Sequence, residues 1–293
     1  MTLLTLPIVM QDGSEVVDYD QHGIPLYIRK SSSQLVKYLP HWHDDLEFIV
    51  MLSGNTLFHV NEKEVLVRNG DCFFVNSRQM HFNETVNHQI EEYICILVHP
   101  QFLTSNRTIL EKFYKPVLEN KSLEFIHWKR EDPETRLIKK FLKKVFRVKM
   151  ENFPAYELIC CGLLQRVWQK IFQHAIEKNY NEPEISDLQI LRDMLSFIYQ
   201  NYTSKIFLED IARSGRICRS KCCQIFKQYM KQSPIDFVNS YRLAVSCHML
   251  KNTDKPITQI SFDVGFTQPS YFGKLFQRMY DTSPTDFRKN FSV

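Results

Sequence analysis

The run LEDIA at residues 208–212 returns as ITQIS at residues 257–261, an offset of 49 residues. Further positions recur at an offset of 50: Ser220, Ile225, Phe226, Ser233, Pro234, Asp236 and Phe237 return as Ser270, Leu275, Phe276, Ser283, Pro284, Asp286 and Phe287. Two copies of a small helical unit, each with a tight turn before a polar-faced helix, can place two helices side by side in DNA. The repeat therefore determines the fold of the C-terminal third.

Each copy has the local features of a helix-turn-helix. In the second copy, Gly265 supplies a turn residue where a Cβ would be strained. Thr267 is the predicted N-cap of the next helix, and Pro269 suits its first turn, where a missing N–H has no intrahelical partner. We expect the two units at residues 206–230 and 256–280, with a long helix between them.

The second copy also carries a specific motif, Ile260-Ser261-x3-Gly265-Phe266-x3-Ser270-Tyr271-Phe272-x3-Phe276-x6-Ser283-Pro284-x2-Phe287-Arg288. With this motif, residues 188–291 resemble the AraC/XylS family of transcription regulators. Three residues depart from the family pattern. Arg216 stands where the first turn usually has Gly, Cys218 where a capping Ser is common, and Ser261 where Ala is usual.

The resemblance implies that two recognition helices enter successive major-groove segments, about 34 Å apart. The candidate DNA-binding residues on these helices are Arg219, Ser220, Lys221, Gln224, Lys227, Thr267, Gln268, Ser270, Lys274 and Arg278. Arg suits guanine O6 and N7, and Gln suits adenine N6 and N7. Lys227 and Arg278 lie further along their helices, where phosphate contacts are expected. The alternative is that these residues form merely solvated polar faces.

Charge is distributed unevenly along the chain. From Ser186 onward there are 15 Lys and Arg against 9 Asp and Glu, whereas the preceding residues have 22 basic against 24 acidic. A basic C-terminal third favours nucleic acid as a partner.

Composition narrows the class of protein. The 44% hydrophobic and 24% charged residues are typical of a folded domain protein. No apolar run has the length of a membrane span, and the N-terminus does not resemble a signal peptide. The eight cysteines form no Cys-x-x-Cys pair, which indicates reduced thiols in a cytoplasmic protein.

Short β-branched and aromatic runs between residues 24 and 98, divided by turn residues, predict an antiparallel sandwich or barrel. Two amphipathic helices are expected within residues 133–178. Their apolar stripes are Leu137, Ile138, Phe141, Leu142, Val145 and Phe146, and Ile159, Leu163, Val167, Ile171 and Ala175. These stripes either pack against the barrel or form a dimer seam. The polar segment 179–187, which contains a Pro, is the expected linker.

The N-terminal region also resembles a cupin, a small double-sheet β-barrel with an internal pocket. The resemblance rests on His41-x-His43-x3-Glu47-x6-Gly54, followed by Gly70-x5-Asn76-x4-His81. Asn76 and Arg78 replace the usual Pro and Gly, and no Asn follows His81 by four residues. In a strand, His41, His43 and Glu47 would project to one face.

Three interpretations of His41, His43, Glu47 and His81 remain open. They are ligands suited to a divalent zinc, iron or manganese ion, they bind a small-molecule effector, or they are structural. A metal-dependent cupin enzyme, a dioxygenase or isomerase fused to a DNA-binding domain, is the alternative class. Against catalysis, the chain contains no nucleophile–base pair, phosphate loop or paired carboxylate elsewhere.

The sequence therefore predicts an α+β multidomain protein with an N-terminal cupin-like β-barrel, a helical linker and dimerisation segment, and a C-terminal all-α double helix-turn-helix. The expected boundaries are 1–132, 133–178, 179–187 and 188–293. By resemblance, the expected function is transcription regulation controlled by a small molecule such as a carbohydrate. The expected partners are double-stranded DNA, this effector, RNA polymerase and a second copy of the chain, with no membrane and no certain cofactor.

Overall fold

The structure is a computed structural model that describes residues 3–5, 8–9, 14–17, 19, 24–32, 36–86, 90–120, 122–177 and 187–291. It divides into two compact units. Val16–Ser33 and Trp42–Ile185 form one, here called the sheet unit, and Met1–Glu15, Gln34–His41 and Ser186–Val293 form the other, the helical unit. Residues 179–186 of the expected linker lie outside the described residues, and Asp187 begins a helix.

The strands, in chain order, are β1 (Leu3–Thr5), β2 (Ile8–Val9), β3 (Glu15–Val16), β4 (Leu26–Ser32), β5 (Val36–Tyr38), β6 (Leu46–Ser53), β7 (Asn55–Val60), β8 (Lys63–Arg68), β9 (Cys72–Val75), β10 (His81–Thr85), β11 (Glu92–Val98) and β12 (Phe125–Trp128). The first helices are α1 (Pro100–Leu103) and α2 (Arg107–Ile109), which continues through a π-helical turn (Leu110–Tyr114) into α3 (Lys115–Leu118). The remaining helices are α4 (Thr135–Met150), α5 (Tyr156–Glu177), α6 (Asp187–Asn201), α7 (Leu208–Ser214), α8 (Arg219–Met230), α9 (Pro234–Asn252), α10 (Ile257–Asp263), α11 (Pro269–Tyr280) and α12 (Pro284–Phe291).

Two antiparallel sheets make up the sheet unit, with strand orders β12-β9-β6-β11-β4 and β10-β7-β8. Alternate residues of a strand point to opposite faces. One face of each sheet therefore packs against the other sheet. Ile49 and Met51 of β6 face the second sheet, whereas Phe48 and Val50 face the helices. The predicted barrel is corrected in one respect: within the described residues the strands form separate sheets rather than one closed barrel.

Helices α4 and α5 cover the outer face of the five-stranded sheet. Ile138, Leu142 and Val145 of α4 and Leu164 and Val167 of α5 are fully buried in one core with that sheet. Burial of each such side chain stabilises the unit by about 1.5–3 kcal/mol. The two predicted apolar stripes therefore pack mainly within the chain, although Leu137 is exposed, and a dimer seam on these helices stays a prediction.

In the helical unit, the repeat folds as two helix-turn-helix pairs, α7–α8 and α10–α11, joined by α9. Arg242 of α9 holds this unit together: its Nε donates to the carbonyl of Tyr202 at 2.8 Å and its Nη2 to that of Ser204 at 2.7 Å. Strand β1 pairs in parallel with β5 and contacts α9. These N-terminal segments belong to the helical unit, although the sequence assigned them to the sensor domain.

Both helix-turn-helix turns close with the same hydrogen bonds. Ile217 N–H donates to Ala212 O at 3.0 Å, and Phe266 N–H donates to Ser261 O at 2.9 Å. The residue before each donor is left-handed, with φ of +55° at Arg216 and +93° at Gly265. This is the Schellman arrangement that ends many helices. Arg216 therefore adopts the conformation for which the family usually has Gly.

The repeat continues after each second helix. Ser233 Oγ accepts the N–H of Asp236 at 3.1 Å, and Ser283 Oγ accepts that of Asp286 at 3.1 Å. Each serine thereby caps the helix that begins at the following proline. The predicted fold class, a β-rich N-terminal domain followed by an all-α double helix-turn-helix, is confirmed. No helix of the described ranges combines the length and apolarity needed to span a bilayer.

Candidate DNA interface and buried polar cluster

Helices α8 and α11 present related faces to solvent. Positions 1, 2, 5, 6 and 9 of each helix lie on one side because a helix turns about 100° per residue. On α8 these are Arg219, Ser220, Cys223, Gln224 and Lys227, and on α11 they are Pro269, Ser270, Gly273, Lys274 and Gln277. All ten are exposed or half-buried. We call them the α8 face and the α11 face.

Two of the predicted DNA-binding residues on α8 are held by carboxylates. Arg219 Nη1 lies 2.7 Å from Glu209 Oε1, in an exposed pair. Lys221 Nζ lies 2.6 Å from Asp187 Oδ2 of α6, and its side chain is only 36% exposed. The expectation that Lys221 lies on the open side of α8 is therefore wrong, because position 3 of this helix faces α6. Ser220, Gln224 and Lys227 are exposed, as predicted.

The predicted residues of the second unit are all exposed: Thr267, Gln268, Ser270, Lys274 and Arg278. Thr267 is not the N-cap, however. Helix α11 begins at Pro269, so that Gln268 occupies the cap position and its side chain makes no capping hydrogen bond. The turn between α10 and α11 is one residue longer than that between α7 and α8, which accounts for the change of offset from 49 to 50.

Sequence reasoning missed Cys223, Gly273 and Gln277 on these faces. Gln277 stands 50 residues after Lys227, so the repeat itself could have identified it. Gly273 carries no side chain, and a Cβ built there meets no atom within 4 Å. The α11 face is therefore flatter than the α8 face at its centre.

A separate group of polar side chains lies inside the sheet unit. Glu47 shares its face of β6 with Ile49, so its carboxylate points between the two sheets. Its Oε2 lies 2.7 Å from His81 Nε2 of β10 and 3.6 Å from His43 Nε2. All three side chains are buried. We call His43, Glu47 and His81 the buried polar cluster.

Backbone carbonyls orient both histidines of this cluster. His43 Nδ1 lies 3.1 Å from Asp45 O, and His81 Nδ1 lies 2.9 Å from Gln79 O. Each Nδ1 therefore donates its hydrogen to a carbonyl, which turns Nε2 toward Glu47. Burial alone would raise the pKa of Glu47, but His81 and then His43 outweigh it and hold this pKa well below its ordinary value. Glu47 is therefore a carboxylate at neutral pH.

The structure differs from the predicted strand geometry around His43. Regular pairing of β6 begins only at Leu46, after a bend at Asp44 and Asp45, so His43 reaches Glu47 from a loop. His41 belongs to the helical unit. There, its Nδ1 contacts Leu39 O at 2.8 Å and its Nε2 lies 3.2 Å from Glu15.

The departures from the cupin pattern have structural explanations. Arg78 adopts φ of +64°, the left-handed conformation for which Gly is usual. The Asn76 amide donates to the carbonyls of Val117 and Leu123, each at 2.9 Å. Asn76 therefore ties the loop before β10 to Val117 and Leu123, and Arg78 adopts the glycine-like conformation without being a glycine.

The buried polar cluster contains donor atoms of the kind that bind metals. Two imidazole nitrogens and a carboxylate are donors that zinc, iron and manganese accept, and their atoms converge. The residues therefore fit a divalent metal as a partial ligand set. The 2.7 Å contact between Glu47 and His81 is an ion pair only when the imidazole is protonated.

Comparison with known families agrees with this division of the chain. Residues 25–159 match the family described as AraC-like ligand binding domain, and residues 211–290 match the family described as Helix-turn-helix domain. The fold and these matches define a DNA-binding transcription regulator with an N-terminal ligand-binding domain. The chain belongs to the AraC/XylS family of transcription regulators.

Individual relatives cover nearly the whole chain. The HTH-type transcriptional regulator YdeC of Bacillus subtilis is 28% identical over 96% of this chain and 98% of its own length. The HTH-type transcriptional activator RhaR of Mannheimia succiniciproducens is 23% identical over 86% of this chain and 87% of its own. A crystal structure of ToxT from Vibrio cholerae with bound unsaturated fatty acid covers 90% of this chain and 94% of its own, at 14% identity and a TM-score of 0.48. That likeness is too low to bear on the ligand of this chain.

Proposed function

We propose that this regulator binds DNA through the α8 and α11 faces, one in each of two successive major-groove segments. The contacts to bases would come from Arg219, Ser220, Gln224, Gln268, Ser270 and Lys274, and those to phosphates from Thr267, Lys227 and Arg278. Lys221 would contact DNA only after its ion pair with Asp187 breaks. The observation that carries this proposal is the matched exposure of the two faces in a duplicated unit.

Substitution of each face tests the assignment. A duplex selected from a random pool by the purified protein serves as the operator. Arg219→Ala and Lys274→Ala are each expected to weaken binding to it by about 1–3 kcal/mol. Thr285→Ala, at an exposed position of α12, is the control. Unchanged affinity in both face variants would contradict the assignment.

We propose that a small polar effector binds at the buried polar cluster. A few convergent polar groups in an apolar surround are typical of ligand sites, and hydroxyl groups of a carbohydrate or polyol suit a carboxylate and two imidazoles. Occupancy would bias the arrangement in which the two helix-turn-helix units meet DNA. Such control requires the effector to bind one arrangement more tightly than the other.

A thermal-shift screen against pentoses, hexoses, polyols and aromatic acids tests the effector site. A ligand at 100 times its Kd adds about 2.7 kcal/mol, which raises the Tm of a unit of this size by roughly 5–10 °C. Glu47→Gln and His81→Asn should abolish the shift, whereas the control Glu84→Gln, at a half-exposed residue of the same sheet, should retain it. A shift that survives in both cluster variants would exclude this site.

A metal at the same cluster is the second candidate, favoured by the convergence of its three donor atoms. His41, the fourth ligand expected from the cupin resemblance, is also buried. Elemental analysis of protein purified without chelator decides between the two. Stoichiometric zinc, iron or manganese that is lost in His81→Asn would support a metal site. Absence of these metals from the wild-type protein would leave the effector site as the remaining candidate.

We propose further that the protein is not an enzyme, since its relatives are named as transcription regulators. With added iron, we expect the protein not to turn over sugar or phenolic substrates. In a gel-shift assay, we expect it to bind DNA. The protein would act in the cytoplasm as a homodimer that contacts RNA polymerase. Sedimentation velocity tests the dimer, and a concentration-independent monomer would contradict it.

A further inference from the structure

Helix α4 carries an uneven charge. Its 16 residues include seven Lys or Arg and no Asp or Glu. Before Ser186 the chain has 22 basic and 24 acidic residues. With α4 set aside, 15 basic residues remain against the same 24 acidic ones. Helix α4 therefore has a net charge of +7, whereas the rest of this part of the chain has a net charge of −9.

Five of the seven cations form a single exposed stripe: Arg136, Lys140, Lys143, Lys144 and Arg147. At about 100° and 1.5 Å per residue, they fall within roughly 100° of the helix circumference and along about 16 Å of its axis. Ile138, Leu142 and Val145 on the opposite side are fully buried against the sheet. The α4 basic stripe, as we call these five residues, is thereby held toward solvent by the core.

The stripe differs from other lysines of the sheet unit in its ion pairing. Across the described ranges of the chain, no Asp or Glu forms an ion pair with any of its five side chains. Four other lysines of the sheet unit do have carboxylate partners within 3.2 Å: Lys30, Lys63, Lys115 and Lys170. Among the described residues, other cations of this unit, such as Arg68 and Arg166, also have no carboxylate partner, so α4 is distinguished by five such cations on one exposed helix face.

The chemistry of the stripe selects its partner. Protein–protein interfaces are centred on apolar and aromatic residues and are depleted in Lys, and the stripe has no such centre. Insertion into a membrane would require the apolar face of α4, which is buried in the core. Closely spaced Lys and Arg side chains, with no Asn or Gln among them, suit the phosphates of a nucleic acid backbone.

We propose that the α4 basic stripe binds the phosphate backbone of duplex DNA, as a sequence-independent contact made by the ligand-binding domain itself. The inference rests on the DNA-binding function of the helical unit and adds a second anchor to it. Because the stripe belongs to the sheet unit, an effector there could change affinity for DNA without altering either recognition helix.

The test is the salt dependence of DNA binding by the full-length protein. Affinity for a 40-base-pair duplex containing the selected operator is measured by fluorescence anisotropy between 50 and 200 mM KCl. The variant K140Q/K143Q/K144Q/R147Q removes four stripe charges. The matched control K30Q/K63Q/K115Q/K170Q removes four ion-paired charges from the same unit, so both variants have the same net charge.

Each released phosphate contact contributes about 0.9 to the slope of log K against log salt. The stripe variant is expected to have a slope shallower by about 2–4 and an affinity at least tenfold lower at 100 mM, while the control stays within twofold of wild type. The double variant K140Q/K143Q is expected to show about half of the change in slope. It keeps the test usable if the fourfold variant misfolds.

Three results would overturn the inference. The stripe variant could have the slope of the control, or it could keep its DNA affinity but lose self-association in sedimentation, which would assign the stripe to a partner copy. Absence of any DNA binding by wild type would refute the DNA-binding function itself, a result distinct from the first two.

Discussion

The guanidinium of Arg219, at the start of α8, lies 2.7 Å from the carboxylate of Glu209 on α7. Both side chains are at least half exposed, so the pair contributes little to folding stability. Its effect is on orientation, because it holds the first side chain of the α8 face in one direction before DNA arrives. The corresponding position of α11 is Pro269, whose ring has no polar group that an ion pair could orient.

Glu209→Gln should therefore reduce the discrimination between operator and random DNA, and it should leave the folding stability unchanged. We expect the ratio of affinities for the selected operator and for random duplex to fall about five- to tenfold, and the affinity for random duplex to rise because a negative charge is lost. Competition binding measures both. In the double variant with Arg219→Ala the effect on the ratio should disappear. A ratio that changes equally with and without Arg219 would contradict the orienting role.

Gly273→Ala should separate stability from DNA binding. Gly inside a helix costs about 0.5–1 kcal/mol relative to Ala, and a Cβ at this position meets no atom within 4 Å. The variant should gain about that much in urea unfolding, yet bind operator several-fold more weakly because the methyl group projects from the centre of the α11 face.

Gly162 is the matched control for this substitution. It also lies in a helix, α5, and a Cβ built there likewise has no neighbour within 4 Å. Gly162→Ala should stabilise the protein to a similar extent and leave DNA affinity unchanged. Equal DNA affinity in Gly273→Ala and wild type would show that α11 does not approach DNA closely at this point.

The two equivalent turns should respond in opposite directions to substitution. At Gly265 the φ is +93°, and a Cβ would lie 2.3 Å from Tyr202 O. Gly265→Ala should therefore cost more than about 2 kcal/mol of unfolding free energy. Arg216→Gly relieves a left-handed non-glycine residue and should stabilise by about 0.5–1 kcal/mol. Chemical denaturation of both variants checks the signs, and a destabilising Arg216→Gly would contradict the turn assignment.

Asp71 should make the sheet unit sensitive to acid. Its carboxylate accepts the N–H of Arg68 at 2.9 Å, His127 Nε2 at 2.8 Å and the N–H of Arg130 at 2.8 Å. Burial alone would raise the pKa of Asp71, but these hydrogen bonds lower it below its ordinary value. Because the folded pKa is the lower one, the stabilisation is complete above about pH 4 and is lost as the pH falls through the folded value.

Urea unfolding of Asp71→Asn at pH 6 and pH 3 measures this contribution. At pH 6 the variant should be less stable than wild type by about 1–3 kcal/mol, and at pH 3 the difference should shrink. Glu131→Gln, at an exposed acid of the same region, is the control with no expected effect at either pH. A difference as large at pH 3 as at pH 6 would contradict the linkage.

The C-terminal unit was predictable from sequence because its determinants are local. Gly265, Pro269 and the Ser-Pro pairs at Ser233 and Ser283 each act through their own backbone geometry, and the structure uses them accordingly. Arg216 shows the limit of such reasoning. It adopts a positive φ, as Gly265 does, which the hydrogen bonds of the turn favour and its residue type does not reveal.

The sheet unit was less predictable because its arrangement depends on distant pairing. Strand β12 is four residues long and joins the sheet beside β9, and β10 carries the buried His81. The pairing of Lys221 with Asp187 likewise joins residues 34 positions apart, so no local pattern indicates it. The contact between Glu47 and His81 was anticipated only through the cupin resemblance.

Hydroxyl-radical footprinting of the full-length protein on its selected operator tests the central claim most directly. If one chain places two helices in successive major-groove segments, each chain protects two patches about one helical turn, 34 Å, apart on one side of the duplex. Gln224→Ala should weaken one patch and Lys274→Ala the other. A single patch per chain, or both patches lost equally in either variant, would contradict two independently reading helix-turn-helix units.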